Sequence, residues 1–152
     1  MTELKTIYDA FLTKATDDMY MELTPDETYN MLFDLFKASL HWFEFPRFDL
    51  YAYNEELGMY MCDLTQEEIN IISTYMIVEW IGQQLASVEL IRLKYSGNDF
   101  KFTSQANHMH KLTNLKKEYE RQGFHLQRLY KRRKADSNGI MRSTFGSIMN
   151  LN

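Results

Sequence analysis

The chain has 152 residues, a net charge of −4 and 45% hydrophobic residues, which is ordinary for one globular domain. Its single cysteine, Cys62, excludes an intramolecular disulfide framework, favours a reducing compartment and is interpreted as a small buried hydrophobe. The sequence has neither a signal-peptide pattern nor an apolar run of membrane-spanning length, so no membrane partner is predicted.

The charges are unevenly distributed along the chain. Residues 1–110 carry 7 basic and 18 acidic residues, a net charge of −11, whereas residues 111–152 carry 10 and 3, a net charge of +7. An acidic body with a basic C-terminal part predicts two surfaces of opposite charge.

Two amphipathic helices are predicted in the N-terminal part. Residues 2–20 repeat apolar side chains at the i, i+3, i+4 and i+7 spacing of one helix face, with Thr2 as the predicted N-cap. The second helix begins at Thr24–Glu27, which is a capping box with proline at the first helical position. It should end before Pro46, because proline disfavours helical geometry in the preceding residue.

A hairpin and a central helix follow. Residues 47–62 contain two β-prone runs around a turn with Gly58, and such a hairpin must pack on the helices or on a neighbouring subunit, since an isolated one is marginally stable. Residues Thr65–Glu68 form a second capping box, which accounts for the adjacent carboxylates there. The helix that they begin runs through Leu93 and is apolar nearly all round, so it is predicted to be buried at the centre of the core.

After a turn at 95–99 and an extended linker at 100–103, a fourth helix is predicted from an N-cap at Ser104 to about Lys134. Gly123 within it predicts a kink or a close helix crossing. The predicted fold class is therefore mostly α, a four-helix bundle-like single domain with a small β-hairpin insertion and a flexible C-terminal tail. The domain covers residues 1–134 and the C-terminal extension covers residues 135–152.

The extension has more apolar residues than a solvated disordered tail normally carries. It either orders on a partner or folds back onto its own domain, and the sequence leaves both interpretations open. The apolar positions are Ile140, Met141, Phe145, Ile148, Met149 and Leu151.

No phosphate-binding glycine loop, nucleophile elbow or metal-ligand motif is present in the sequence. His108 and His110 are two residues apart, so they point in different directions on a helix and cannot share a metal ion. Glu79 and Glu89, within the apolar third helix, are candidates for acid–base chemistry, but each is also explained by an open seam or by an ion pair. The sequence predicts no catalytic residue, no metal and no cofactor, and so not an enzyme.

Basic residues are concentrated on the fourth helix. With the aromatic residues Tyr119, Phe124 and Tyr130 between them, they form a stripe with three interpretations, which are, in order of preference, a protein contact, a solvated face and a nucleic-acid contact. The basic positions are Lys116, Lys117, Arg121, Arg128, Lys131, Arg132, Arg133 and Lys134.

The arrangement resembles that of the head–tail connector, or adaptor, proteins of tailed bacteriophages. The resemblance rests on the entry Leu64–Glu68 to a long helix, the apolar stretch Tyr75–Leu93, a short turn at Ser96–Phe100, and a basic helix with a loose C-terminal extension. The phrase Asp99–Ala106 is also similar to phage structural proteins.

The resemblance implies a structural virion protein that is assembled in the host cytoplasm. Several copies would form a ring beneath the portal protein, continue the DNA channel with DNA only as passing cargo, and contact other neck or tail proteins. The extension Asn138–Asn152 would dock on the portal, and the basic run Lys131–Lys134 would face portal or DNA. The partner-binding residues implied in the extension are Ile140, Met141, Arg142, Phe145, Ile148 and Met149.

Two other functions remain open at the level of sequence. One is a small helical nucleic-acid-binding or regulatory protein that uses the basic stripe over residues 116–134, with binding that weakens steeply as salt rises. The other is an enzyme with a site around Glu79 and Glu89, which nothing in the sequence requires.

Overall fold

The computed structural model describes residues 1–15, 24–94, 102–131, 133–135 and 141–143, with the side chains of residues 1–15, 24–90 and 106–131. The prediction of a mostly helical protein with a small antiparallel sheet is confirmed. The helices are α1 (Leu4–Lys14), α2 (Pro25–Leu40), α3 (Gln66–Lys94) and α4 (Phe102–Lys131). The strands are β1 (Thr2–Glu3), β2 (Tyr53–Asn54), β3 (Met59–Tyr60), β4 (Arg133–Ala135) and β5 (Met141–Ser143).

Both predicted capping boxes are present. At the start of α2 the Glu27 N–H donates to the Thr24 hydroxyl at 3.3 Å, and the Thr24 N–H donates to the Glu27 carboxylate at 2.9 Å. At the start of α3 the Glu68 N–H donates to the Thr65 hydroxyl at 3.3 Å, and the Thr65 N–H donates to the Glu68 carboxylate at 2.7 Å. Each box satisfies two backbone donors that a helix start would otherwise leave without a partner.

The predicted bounds of the first helix are wrong at both ends. Thr2 lies in β1, and its hydroxyl accepts a hydrogen bond from the Leu64 N–H at 2.8 Å instead of capping a helix. Glu3 is the N-cap and its side chain makes no capping bond. The helix stops at Lys14 because Ala15 is extended, and residues 16–20 of the prediction lie outside the described residues.

The predicted hairpin is confirmed as β2 and β3, but it is part of a three-stranded sheet of order β1-β3-β2. Tyr60 pairs antiparallel with Thr2 on one side and with Tyr53 on the other. Gly58 closes the turn at a φ of 61°, which glycine adopts without steric cost. The hairpin does pack on the helices, because the fully buried Tyr60 ring meets the Phe36 ring edge-on at 5.8 Å.

The first half of α3 is the buried centre of the core, as predicted. Residues 71–78 are all buried, and α1, α2 and α4 pack around them. The three buried hydroxyls in this stretch are satisfied, since Ser73 and Thr74 both donate to the Asn70 carbonyl and Tyr75 accepts from the Gln127 amide. Within the described part of the chain, no helix combines the length and the hydropathy that crossing a bilayer requires.

Helices α3 and α4 form an antiparallel pair with a close crossing at Gly123, as predicted from that residue. A Cβ at Gly123 would lie 2.7 Å from Cζ of Tyr75, whereas a Cβ at Gly82 would lie 3.6 Å from Cε of Lys116. The side chains described beyond Ile81 in α3, and from residue 106 to 115 in α4, are exposed or half-buried. The described side chains of these far halves are therefore less buried than those near the crossing, although Leu85 and Leu112 still pack against the core.

The C-terminal part corrects two further predictions. Helix α4 begins at Phe102, so Ser104 lies within the helix and two residues of the predicted linker, Phe102 and Thr103, are helical. It ends at Lys131, and Arg133 and Lys134 belong to β4 instead of the helix. Strand β4 pairs antiparallel with β5, so the predicted tail contains regular structure; its remaining residues lie outside the described ones.

Candidate interaction surface on helix α4

Seven exposed positions of α4 follow one another at alternating intervals of four and three residues, which places them along one face of the helix. None of the seven is acidic, and they are His110, Asn114, Lys117, Arg121, Phe124, Arg128 and Lys131. We call the last five of them, from Lys117 to Lys131, the α4 stripe. At 1.5 Å per residue the α4 stripe is about 21 Å long.

Cations lie over exposed aromatic rings at the C-terminal end of the α4 stripe. The Arg128 guanidinium carbon is 5.9 Å from the centre of the Phe124 ring, and the Lys131 Nζ is 3.9 Å from the centre of the Phe45 ring. Phe124 is 51% exposed and Phe45 is 54% exposed. Such contacts add little stability at an exposed site, but they hold a cation and a ring together where a partner can reach both.

The four cations of the α4 stripe have no ion-pair partner in the described part of the chain. Lys116, which was included in the predicted stripe, instead pairs with Glu120 at 3.1 Å and is half-buried. The α4 stripe is therefore a positive surface that no ion pair among the described residues neutralises.

The C-terminal half of α4 is held in place by a buried carboxylate. Glu68 is fully buried and accepts from Arg47 Nε at 2.7 Å, from the second Arg47 nitrogen at 3.0 Å and from the Tyr130 hydroxyl at 2.7 Å. It also accepts from the Thr65 N–H within the capping box. A carboxylate without water is tolerated in a protein only when its oxygens are satisfied in this way.

Gln127 makes a second junction, one helical turn earlier on α4. Its carbonyl accepts from the Glu44 N–H at 2.8 Å, and its amide donates to the Trp42 carbonyl at 2.8 Å and to the Tyr75 hydroxyl at 2.7 Å. The Tyr75 and Trp42 rings are stacked with centroids 5.5 Å apart. The two junctions fix the rotation of α4, so the α4 stripe is presented by a rigid element.

Sequence reasoning explained Glu68 through its capping box alone and gave no role to Arg47 or Gln127. The one available signal was the acidic pair Glu67-Glu68. Nothing local indicates an ion pair between residues 47 and 68, because their contact depends on how the chain returns from α2 to α3.

The aromatic residues predicted to interleave with the basic ones separate into two groups. Phe124 lies on the exposed α4 stripe, Tyr119 is half-buried, and Tyr130 is buried with its hydroxyl bonded to Glu68. The prediction of three stacking surfaces is thus wrong for Tyr119 and Tyr130. Both lie on the same helix face as the buried Gly123 and Gln127, and that face is turned toward the core.

The structure places only part of the predicted partner-binding set. Lys131 ends the α4 stripe and is exposed. Four of the residues lie on the paired strands β4 and β5, where the backbone alone is described, namely Arg133, Lys134, Met141 and Arg142. The others lie outside the described residues, namely Arg132, Ile140, Phe145, Ile148 and Met149.

The carboxylates of α3 do not form a pair. Glu79 accepts a hydrogen bond from the Trp42 indole at 2.6 Å and lies 3.8 Å from the His41 ring nitrogen, while Glu89 is exposed. Ten residues separate them, which is about 15 Å along the helix. Among the described side chains, no group of three or more His, Cys, Asp or Glu residues is placed to hold a metal ion, and Cys62 is half-buried.

Comparison of the chain with protein-family models, with curated proteins and with solved structures finds no match.

Proposed function

We propose that this chain is a structural assembly protein of the head–tail connector type, which forms an oligomeric ring at the phage head–tail junction of the virion. Its protein partners are other copies of itself, the portal protein and other neck or tail proteins, and DNA passes only as cargo. The observation that carries the proposal is the α4 stripe, a rigidly held, un-neutralised positive surface about 21 Å long on an otherwise acidic chain.

Charge and aromatic character together favour a protein contact for this surface. Arginine and aromatic residues are enriched at the centres of protein interfaces, and Arg121, Phe124 and Arg128 stand together at the middle of the α4 stripe. The apolar residues of the extension provide a second contact, in which the residues from Ile140 to Met149 order on the portal protein.

The proposal is tested by the mass of the purified protein. Light scattering and electron microscopy on the full chain, and on a chain that lacks residues 136–152, should show closed rings of the full chain alone or with a portal protein. Loss of portal binding without loss of self-association in the shortened chain would assign the extension to the portal contact. A full chain that stays monomeric at every concentration, both alone and with the portal protein, would overturn the proposal.

The same surface favours one other function, nucleic-acid binding. The α4 stripe carries four cations and the accessible Phe124 ring, and the exposed Phe45 ring lies beside Lys131, so bases could stack on two rings. If all four cations contact phosphates, the affinity for duplex DNA should fall by about a hundredfold between about 50 and 200 mM salt. Fluorescence anisotropy on labelled duplexes and single strands measures how the affinity depends on salt concentration. Weak binding with a small salt dependence would exclude nucleic-acid binding and favour the protein contact.

A further inference from the structure

The turn of the β2–β3 hairpin presents an exposed acidic surface. Glu55 and Glu56 in the turn are exposed, and so is Glu3, which pairs with Met59 on the other side of β3. The Leu4 N–H donates to the Gly58 carbonyl at 2.8 Å and joins the start of α1 to the turn. Leu57 at the centre of the turn is 64% exposed. We call Glu3, Glu55, Glu56 and Leu57 the acidic turn. None of its three carboxylates takes part in an ion pair within the described part of the chain.

The acidic turn and the α4 stripe are complementary in both charge and polarity. One has three carboxylates and an exposed leucine, and the other has four cations along the helix face that carries the exposed Phe124. Opposite patches of this kind attract one another and fix the register of a contact. An apolar centre with a charged rim is also the usual arrangement of a protein interface.

Within the described part of one copy, no ion pair joins the two surfaces, and every member of both is exposed. They are also carried by different parts of the fold. The acidic turn lies against α2, where the Tyr29 hydroxyl is 3.8 Å from the position of a Cβ on Gly58, whereas α4 packs on α3. Each copy therefore presents one positive and one negative surface, and the two surfaces can contact two neighbouring copies at the same time.

We propose that the α4 stripe of one copy docks on the acidic turn of a second copy. This inference rests on the proposed function and names the contact between neighbouring subunits. Because the two surfaces are different, the contact is head-to-tail, and repeated head-to-tail contacts close into a ring when their rotation allows it.

The contact is small, since an α4 stripe of about 21 Å against one turn buries less than the roughly 1,200 Å² of a stable pair. A single contact of this size is weak and is screened by salt. Closure of a ring makes each subunit contribute two contacts, so assembly should be cooperative and should be lost at high ionic strength.

Reciprocal charge reversal tests the contact. The first variant is Lys117→Glu with Arg121→Glu and Arg128→Glu, which leaves three carboxylates and Lys131 on the stripe and makes its net charge negative. The second is Glu55→Lys with Glu56→Lys, which leaves two lysines and Glu3 on the turn and makes its net charge positive. In each variant alone the two surfaces have the same sign, so self-association should weaken by tenfold or more, on the order expected for like charges placed opposite one another. An equimolar mixture of the two should associate again, because each reversed surface then meets one of opposite sign.

The control is Lys111→Glu with Gln83→Glu and Ser87→Glu, which adds negative charge as the first variant does but at exposed positions outside both the α4 stripe and the acidic turn. Sedimentation velocity at low and high salt measures association, and circular dichroism confirms that each variant is folded. The expected result is association of wild type, of control and of the mixture, but not of either variant alone.

If wild type and both reversed variants associate equally well, this contact is wrong, whereas the proposed ring-forming function is not affected. A mixture that fails to associate, or a control as weak as the first variant, would also overturn the contact. Wild type that remains monomeric in both this experiment and the portal experiment would overturn contact and function together.

Discussion

Because α3 and α4 cross closely at Gly123, we expect alanine to change the stability of the protein in opposite directions at Gly123 and at Gly82, which both lie within helices. Gly123→Ala and Gly82→Ala each gain about 1 kcal/mol from the higher helix propensity of alanine. The new Cβ at residue 82 is in ordinary contact with Lys116 Cε, whereas the new Cβ at residue 123 lies 2.7 Å from Cζ and 2.9 Å from Cε1 of Tyr75.

Tyr75 cannot easily move away from that new methyl group. It is 3% exposed, its ring is stacked on Trp42, and its hydroxyl accepts from Gln127. Overpacking of this kind costs about 1–3 kcal/mol, and a strained or broken hydrogen bond adds about 1 kcal/mol. The net expectation is that Gly123→Ala destabilises the fold by about 1–3 kcal/mol, while Gly82→Ala stabilises it by up to about 1 kcal/mol.

Urea denaturation of the two variants measures this difference, with an unchanged m-value as the check that both unfold in the same way. The variant Tyr75→Leu removes the ring atoms that clash, so in its background Gly123→Ala should cost much less, and a double-mutant cycle gives the coupling. If Gly123→Ala were as stabilising as Gly82→Ala, the close packing of the two helices at this point would be wrong.

Three further predictions concern buried ionisable groups. Glu68→Gln should cost about 1–3 kcal/mol in urea denaturation, because the amide cannot serve all the donors that the carboxylate accepts from; a change under about 0.5 kcal/mol would contradict the buried junction. Burial raises the pKa values of Tyr8, Tyr60 and Tyr130, so the folded state keeps protons that the unfolded state loses above pH about 10, and at pH about 11 each costs about 1.4 kcal/mol of stability. Absorbance at alkaline pH should show these three phenols ionising only as the protein unfolds, and reversible ionisation of all tyrosines in the folded state would refute this. Burial lowers the pKa of Lys14 to about 8, so above pH 8 and below its unfolded pKa of about 10.4 the unfolded state binds more protons and stability rises with pH. The variant Lys14→Met should remove that rise, and an identical pH profile for wild type and variant would show that the group is not perturbed.

The parts of the fold that the sequence predicts well are those fixed by near neighbours. Both capping boxes depend on residues three apart, and the burial of α3 follows from its continuous apolar run, so each can be read without knowledge of the rest of the chain. Gly123 was identified for the same reason, as a glycine inside a strong helical pattern.

The parts that the sequence does not predict depend on distant pairing. The helical pattern after Thr2 predicts that it caps a helix, but in the structure Thr2 pairs with Tyr60 as part of a strand. Arg47 looks like a surface residue until the loop after α2 brings it to Glu68. The α4 stripe was predicted in part, and the helix rotation that selects Phe124 over Tyr130 is set by the buried junction with Glu68.

The pairing of β1 with β3 also bears on the order in which the chain becomes structured. Thr2 is synthesised long before its partner Tyr60, so the sheet cannot close until α1, α2 and the hairpin have emerged from the ribosome. Ordering such a distant pair is slow compared with local helix formation, because the intervening chain must first be brought together. During synthesis the amino-terminal strand therefore cannot form this pairing until about the first sixty residues have been made, so the sheet forms after the helices that its closure joins.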